Sequence, residues 1–205
     1  MLHFENLAKR YGDHVVFSGL THRFGPGCVS LQAPNGSGKS TLIDMLAGAT
    51  PADSGVISID GHTCGTPQAA QKLAYVPDDC MTHPSLSGRA LFERVASVMG
   101  TRVESPTYDL AERFGLTSRL DMRFDQMSLG TRKKMYLAAI SIGNPTVILA
   151  DEPSNGLDAA ARRVLVELFR ELGHTRVVLF STHDPDFADA CDARVVDFSA
   201  LQALA

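Results

Sequence analysis

The chain predicts an α/β fold with a mostly parallel sheet, on three observations. Short apolar segments typical of buried strands alternate with helical patterns along most of its 205 residues. A glycine-rich segment at residues 33–41 lies between a predicted strand and a predicted helix, and two acids directly follow another apolar strand, at residues 151 and 152. No repeat or low-complexity segment interrupts this order.

The N-terminal part predicts a small antiparallel β subdomain. Residues 2–7 and 15–24 are strand-like segments on either side of a turn at Gly12 and Asp13. Residues 56–60 form a further strand, which the turn-forming pair Asp60 and Gly61 closes. We expect these strands to form an N-terminal antiparallel β subdomain of the α/β core.

The remaining elements alternate in the order expected of a parallel sheet with helical crossovers. Predicted strands cover 29–32, 73–76, 146–150, 177–181 and 194–198, and predicted helices cover 39–48, 87–99, 105–115, 128–142, 158–172 and 185–190. Ser87 is the predicted cap of one helix, and Gly100 ends it. The run of helices predicts one domain in which a helical subdomain, 79–143, is inserted between the core segments 1–78 and 144–205.

The glycine-rich segment reads Ala-Pro-Asn-Gly-Ser-Gly-Lys-Ser-Thr and predicts a phosphate-binding loop. Glycines leave backbone N–H groups free to surround an anion, and the following helix adds unpaired N–H groups and its positive dipole end. An ordinary glycine turn before a helix is the alternative, which Lys-Ser-Thr at the helix start disfavours. The predicted nucleotide-contacting residues are Asn35, Gly36, Ser37, Gly38, Lys39, Ser40 and Thr41, with Lys39 on the β- and γ-phosphates and Ser40 on Mg²⁺.

The acids Asp151 and Glu152 end the apolar strand 147–150. Ligands of open α/β sheets lie at the carboxyl ends of the strands, so Asp151 is predicted to hold Mg²⁺ and Glu152 to activate the attacking water. Taken alone, the pair fits a solvated acidic loop equally well. The phosphate-binding loop upstream favours the functional interpretation.

Composition narrows the class of protein. A net charge of −4 disfavours a dedicated nucleic-acid binder, and no apolar run approaches the ~20 residues that cross a bilayer. The N-terminus lacks a secretory leader, and the four cysteines lack metal-ligand spacing, which together predict reduced thiols in the cytosol. The densest basic cluster, at residues 132–134, is expected to be a solvated helix face.

These motifs, in this order, resemble those of the ATP-binding subunits of ABC transporters, and the resemblance covers nearly the full chain. It implies a P-loop NTPase core of the ABC type. Tyr11 is similar to the family's adenine-stacking aromatic, and the segment 127–131 keeps the Ser-x-Gly skeleton of the signature in Ser128 and Gly130. The segment 154–158 is similar to the loop after the catalytic acid, and His183 to the switch histidine. The resemblance implies ATP and Mg²⁺ as ligands and catalytic roles for Glu152 and His183.

The sequence departs from the family pattern at several positions. Ala33 replaces the first glycine of the phosphate-binding loop, and Pro34 biases it toward extended angles that alanine accepts. Asp78 replaces the glutamine that normally touches Mg²⁺ and the attacking water, although the neighbouring Asp79 is an alternative. The signature has Leu129 and Thr131 where the family has a second glycine and a glutamine.

The resemblance implies an ATPase that energises a transporter whose transmembrane permease subunit is a separate chain. It would lie in the cytoplasm, peripheral on the cytoplasmic face of the cell membrane. Each ATP would be clamped between Lys39 of one copy and Ser128 of another, in a head-to-tail homodimer or a pair with a paralogous ATPase. The alternatives are a soluble ABC-type ATPase acting in DNA repair or on the ribosome, and an unrelated phosphate-loop kinase.

Overall fold

The computed structural model describes residues 1–34, 36–81 and 83–203 of the chain. The strands are β1 Leu2–Tyr11, β2 His14–Phe24, β3 Gly27–Gln32, β4 Ser54–Ile59, β5 His62–Thr63, β6 Leu73–Val76, β7 Val147–Ala150, β8 Val177–Ser181 and β9 Arg194–Asp197. The helices are α1 Lys39–Leu46, α2 Pro67–Ala70, α3 Gly88–Met99, α4 Ser105–Arg113, α5 Leu129–Ala139, α6 Ala159–Gly173, α7 Pro185–Ala190 and α8 Phe198–Ala203.

The first sheet is antiparallel, as predicted, with the strand order β2-β1-β4-β5. Strand β1 is longer than the predicted segment 2–7, because pairing with β2 continues as far as Tyr11 opposite His14. Register shifts interrupt this pairing after Phe4, Leu7 and Lys9. Such irregularities break the alternation of inward and outward side chains on which a sequence-based boundary depends.

The second sheet has five strands in the order β6-β7-β8-β3-β9, and neighbouring strands pair in parallel. Val147 and Leu149 of β7 pack with the antiparallel sheet and α1, whereas Ile148 and Ala150 pack with the helices on the other face. Burial on both faces explains why the central strands are continuous apolar segments. The predicted α/β class with a mostly parallel sheet is confirmed.

Helices α3 to α5 lie between β6 and β7, in the predicted helical region. The Ser87 hydroxyl accepts the Ala90 N–H at 3.2 Å and Gly100 ends α3 with a φ of 66°, so both predicted helix limits are confirmed. Buried residues of α3 to α5 share one hydrophobic cluster with Phe169 and Phe180 of the core. The boundaries of the helical subdomain, 79–143, stay a prediction.

Several sequence-predicted limits were wrong for identifiable reasons. Helix α5 ends at Ala139 rather than 142, because the N–H groups of residues 140–142 donate to carbonyls three residues back, in a tighter 3₁₀ pattern. The last strand ends before Phe198, which instead begins α8. The Phe198 ring packs edge-on against Phe17 of β2, at 5.9 Å between centroids, and the Asp197 carboxylate accepts the Ser199 N–H at 2.8 Å.

The start of α5 packs directly against the turn that precedes α6. A Cβ atom placed on Gly130 would lie 2.1 Å from the carbonyl oxygen of Gly156. Because this contact joins two backbones, rotation of a side chain cannot relieve the clash. Glycine is therefore required at position 130 for packing within the chain.

We expect the substitution Gly130→Ala to lower the free energy of unfolding. Overpacking of this kind costs about 1–3 kcal/mol, which outweighs the gain of up to about 1 kcal/mol in helix propensity. Urea denaturation measures the difference. The control is Gly25→Ala, where an added Cβ meets nothing within 4 Å. Equal stability of the two variants would contradict the packing argument.

Candidate functional site

Predicted functional residues meet at the carboxyl ends of four neighbouring strands, β6, β7, β8 and β3. Parallel strands end at the same edge of a sheet, which is where α/β proteins bind ligands. A cleft of about 420 Å³ opens at this edge. It is lined by Tyr11, His14, Val16, Gly36, Ser37, Gly38, Lys39, Ser40, Thr41, Asp78, Glu152, Asn155 and His183.

The loop after β3 has the geometry that its glycines predict. Gly36 and Gly38 have φ angles of 76° and 100°, and a Cβ on Gly38 would lie 2.4 Å from a methyl carbon of Val16. The backbone at Ala33 does not have a positive φ, which confirms that alanine fits its position. Helix α1 follows, and its first internal hydrogen bond runs from the Leu42 N–H to the Gly38 carbonyl at 2.9 Å. The helix itself offers no acceptor to the earlier N–H groups, which suits an anion.

Lys39 is 6% exposed, and its ammonium is held by the loop itself. The Nζ atom donates to the carbonyl oxygens of Ala33 at 2.6 Å and Pro34 at 3.1 Å. Ser40 and Thr41 continue the lining of the cleft along α1. The predicted contact Asn35 lies outside the described residues. The phosphate contacts predicted for this loop stay a prediction.

Asp151 and Glu152 are buried at the end of β7 and share one serine. The Ser181 hydroxyl donates to Asp151 Oδ1 and accepts the Glu152 N–H at 2.9 Å. Ser181 ends β8, which is the neighbour of β7 in the sheet. No role was predicted for Ser181 from the sequence. Its position at the end of an apolar strand, followed by Thr182 and His183, was the available signal.

Glu152 adopts a left-handed backbone conformation, with a φ of 45°, and faces His183. Its Oε1 atom lies 3.0 Å from His183 Nε2, and its Oε2 accepts the His183 backbone N–H at 3.3 Å. Burial raises the pKa of the Glu152 carboxyl above its ordinary value, and His183 opposes part of the shift. The structure therefore places His183 against Glu152, whereas its contact with a γ-phosphate stays a prediction.

The basic cluster at residues 132–134 is not the solvated face that the sequence predicted, and that expectation was wrong. Lys133 is 0% exposed, and its Nζ donates to Asp78 Oδ1 at 3.0 Å and to the Glu152 carbonyl at 2.8 Å. Lys134 pairs with Asp158 at 2.5 Å, and Arg132 donates to the Met127 carbonyl at 2.8 Å. The acceptors of Lys133 and Lys134 come from distant segments, which a local charge pattern does not reveal.

Asp78, rather than its neighbour, faces the cleft. Asp78 lines it and pairs with Lys133, while the Asp79 carboxylate accepts the Met81 N–H at 3.1 Å.

Behind the cleft, the Tyr75 hydroxyl donates to Asp44 Oδ1 at 2.5 Å and joins β6 to α1. Burial raises the pKa of the Asp44 carboxyl.

Tyr11 and the signature residues occupy different surroundings. Tyr11 is 53% exposed at the rim of the cleft, with Lys9 Nζ 5.2 Å from its ring centroid. Ser128 caps α5 by accepting the Thr131 N–H at 3.2 Å, and its side chain is exposed. Neither Ser128 nor Gly130 is among the described residues that line the Lys39 cleft. Their nucleotide contacts, like base stacking on Tyr11, stay predictions.

The cleft offers the kind of ligands that Mg²⁺ prefers. Ser40 lines the cleft with a hydroxyl and Asp78 with a carboxylate, so both donors are oxygens. The predicted ligand Asp151 is not among the described lining residues; it is buried at the end of β7, where its carboxylate accepts the Ser181 hydroxyl. Within the described ranges, no group of three or more His, Cys, Asp or Glu side chains is arranged to hold a metal ion. The residues fit an ion that takes one or two protein oxygens and draws its other ligands from phosphate and water.

Comparison with known proteins agrees with this geometry. Residues 26–155 match the family model described as ABC transporter. A solved ATP-binding subunit of an ABC transporter superposes with a TM-score of 0.81 at 26% identity, over 96% of this chain and 86% of that one. A bacterial ABC transporter cassette, described as dimeric, also superposes with a TM-score of 0.81, over 93% of this chain and 91% of that one. At 21% identity, it supports the fold.

Two curated relatives are named as ATP-binding proteins, one for export and one for resistance. The Nod factor export ATP-binding protein I of Burkholderia orbicola is 32% identical over 92% of this chain and 65% of its own length. The linearmycin resistance ATP-binding protein LnrL of Bacillus subtilis is 29% identical over 89% of this chain and 61% of its own length. The chain therefore spans less than two thirds of the length of each of these relatives. On the family match and the shared fold, the chain belongs to the ABC transporter family and comprises its nucleotide-binding domain.

Proposed function

We propose that the chain binds and hydrolyses Mg²⁺-ATP as the energising subunit of an ABC transporter whose permease is a separate chain. One observation supports this above all. The loop that presents Lys39 and Ser40 shares one cleft with Glu152 and His183, at the ends of adjacent parallel strands. Relatives named for Nod factor export and linearmycin resistance favour transport over DNA repair or ribosomal work.

The chemistry follows from what each group can do in place. The free N–H groups at the start of α1 and the Lys39 ammonium bind the phosphates, once the ammonium leaves its loop carbonyls. Ser40 and Asp151, with Asp78, hold Mg²⁺, which neutralises phosphate charge. Glu152 orients and deprotonates the attacking water, and its raised pKa makes it a stronger base than an exposed glutamate. His183 holds this carboxylate in position through two contacts.

The working unit in this proposal is a head-to-tail pair of such domains. Ser128 lies at an exposed helix start, where unpaired N–H groups and the helix dipole favour a γ-phosphate. Since it does not line the Lys39 cleft of its own chain, it would bind the ATP of a partner. A bacterial cassette of this fold is described as dimeric and as bound to ADP and Pi after hydrolysis. The partner is a second copy or a paralogous ATPase.

We also propose where the pair acts. A transmembrane permease subunit would bind the helical subdomain, 79–143, and hold the ATPases on the cytoplasmic face of the membrane. In the part of the chain that the structure describes, no helix is both long and apolar enough to span a bilayer. No nucleic-acid partner is expected at a net charge of −4.

Replacing Glu152 with Gln should abolish turnover and leave ATP binding intact. The amide keeps the shape of the side chain but cannot accept the proton of water, so kcat should fall about 10²–10⁴-fold. Phosphate release measures turnover, and a fluorescent ATP analogue measures affinity. The matched control is Glu167→Gln, an exposed carboxylate that pairs with Arg113 on the surface. A Glu152→Gln enzyme that turns over at the wild-type rate would refute the assignment.

The dimer is tested by adding Ser128→Arg to the Glu152→Gln protein. With saturating Mg²⁺-ATP, Glu152→Gln should elute as a dimer in size-exclusion chromatography with light scattering. The bulky arginine side chain should prevent close approach of the partner's γ-phosphate by its size, so the double variant should remain a monomer. Its own ATP affinity should change less than about 3-fold, since most surface substitutions perturb little elsewhere. Ser97→Arg, on the exposed face of α3, is the control. Dimers of equal stability in both proteins would exclude Ser128 from the interface.

A further inference from the structure

Lys133 is a buried cation that has no part in the proposed binding and hydrolysis of ATP. It is 0% exposed, among the largest fully buried side chains, and its ammonium donates to two described acceptors, Asp78 Oδ1 and the Glu152 carbonyl. A buried charge is costly unless its hydrogens find acceptors, and an apolar side chain of similar volume would fill the space more cheaply. The contacts that Lys133 makes therefore indicate what it does.

The two acceptors lie on separate segments that both belong to the cleft. Asp78 follows β6, and its side chain is 53% exposed toward the cleft that it lines. Glu152 follows β7 and holds the predicted catalytic carboxylate. Lys133 itself belongs to α5, the helix that begins after Ser128. One ammonium thus joins the signature helix to both acidic segments of the site.

The main chain at Glu152 needs such support. Its φ of 45° is a conformation that side-chain-bearing residues rarely adopt, and it persists only when surrounding contacts hold it. Ser181 accepts the Glu152 N–H, while the Glu152 carbonyl accepts from Lys133 at 2.8 Å and from the Asn155 N–H at 3.1 Å. Lys133 is the contact in this set that comes from the helical region.

We infer that Lys133 is a positioning residue, which fixes Asp78 and the Glu152 main chain relative to α5. A displacement of α5 then moves the predicted catalytic carboxylate. The inference rests on the proposed ATPase function and deepens it. A buried ion pair that merely stabilises the fold is the competing explanation, and it predicts a loss of stability with no change in turnover per folded molecule.

The test compares Lys133→Met with Lys134→Met, its neighbour on α5, which pairs with Asp158 outside the cleft lining. Lys133→Met should lower kcat more than about 10-fold with KM for ATP changed less than about 3-fold, the signature of a defect in the chemical step. Lys134→Met should keep kcat within about 2-fold, because it removes an ion pair with Asp158 and no contact to Asp78 or Glu152. Wild-type kcat in folded Lys133→Met would overturn the inference.

Hydrogen exchange supplies a readout that does not depend on ATP hydrolysis. In nucleotide-free Lys133→Met, amides of the turn after Glu152, at Asn155 and Leu157, should exchange faster, while those of β8 stay protected. Unchanged exchange at this turn would overturn the inference even if the wild-type protein hydrolyses ATP. If the wild-type protein proves inactive, the proposed function fails and the exchange experiment still tests the contact. Should Lys133→Met not fold, Lys133→Gln is judged by the same criteria, because its amide is one atom too short for both acceptors.

A double-mutant cycle tests whether Lys133 and Asp78 act together. If they work through one contact, Lys133→Met combined with Asp78→Asn should lower kcat no more than the worse single variant does. Losses that multiply would show independent roles and overturn the pairing of Asp78 with Lys133.

Discussion

Burial of the parallel sheet on both faces is the constraint on which the site depends. It leaves only the ends of the strands open to ligands, and parallel pairing brings four carboxyl ends to one edge. The phosphate-binding loop, the two acids, His183 and Asp78 are far apart in sequence, yet each follows one of these strands. The strand order by itself therefore brings the residues of the cleft to one place.

A network of buried polar groups then refines what the sheet brings together. Ser181 holds both acids of β7, Lys133 holds the carbonyl of Glu152, and His183 holds its carboxylate. The N–H and the carbonyl of Glu152 are both hydrogen-bonded in this way, and these contacts hold its strained main chain in place. Burial of the same residue raises the pKa of its carboxyl.

The sequence predicted features that are written locally. Glycines at 36 and 38, the apolar strands and the helix cap at Ser87 depend on near neighbours, and each is confirmed. Lys133, Ser181 and the packing need at Gly130 depend on partners distant in the chain. Lys133 was predicted to be solvated because its neighbours are basic, and only the tertiary structure shows that α5 turns this one residue inward. The roles assigned by resemblance, from Tyr11 to Ser128, stay predictions.

The first turns of α5 run from an exposed residue to a buried one, so this part of the helix connects the surface of the domain with its interior. Ser128 is exposed, whereas Lys133, about 7.5 Å further along the helix axis, is buried beside Glu152. Gly130 lies between them, against the Gly156 carbonyl, so the helix start cannot bend without disturbing the turn after Glu152. A displacement of this helix at Ser128 would therefore reach the Glu152 segment by two contacts, the hydrogen bond from Lys133 to the Glu152 carbonyl and the packing of Gly130 against Gly156.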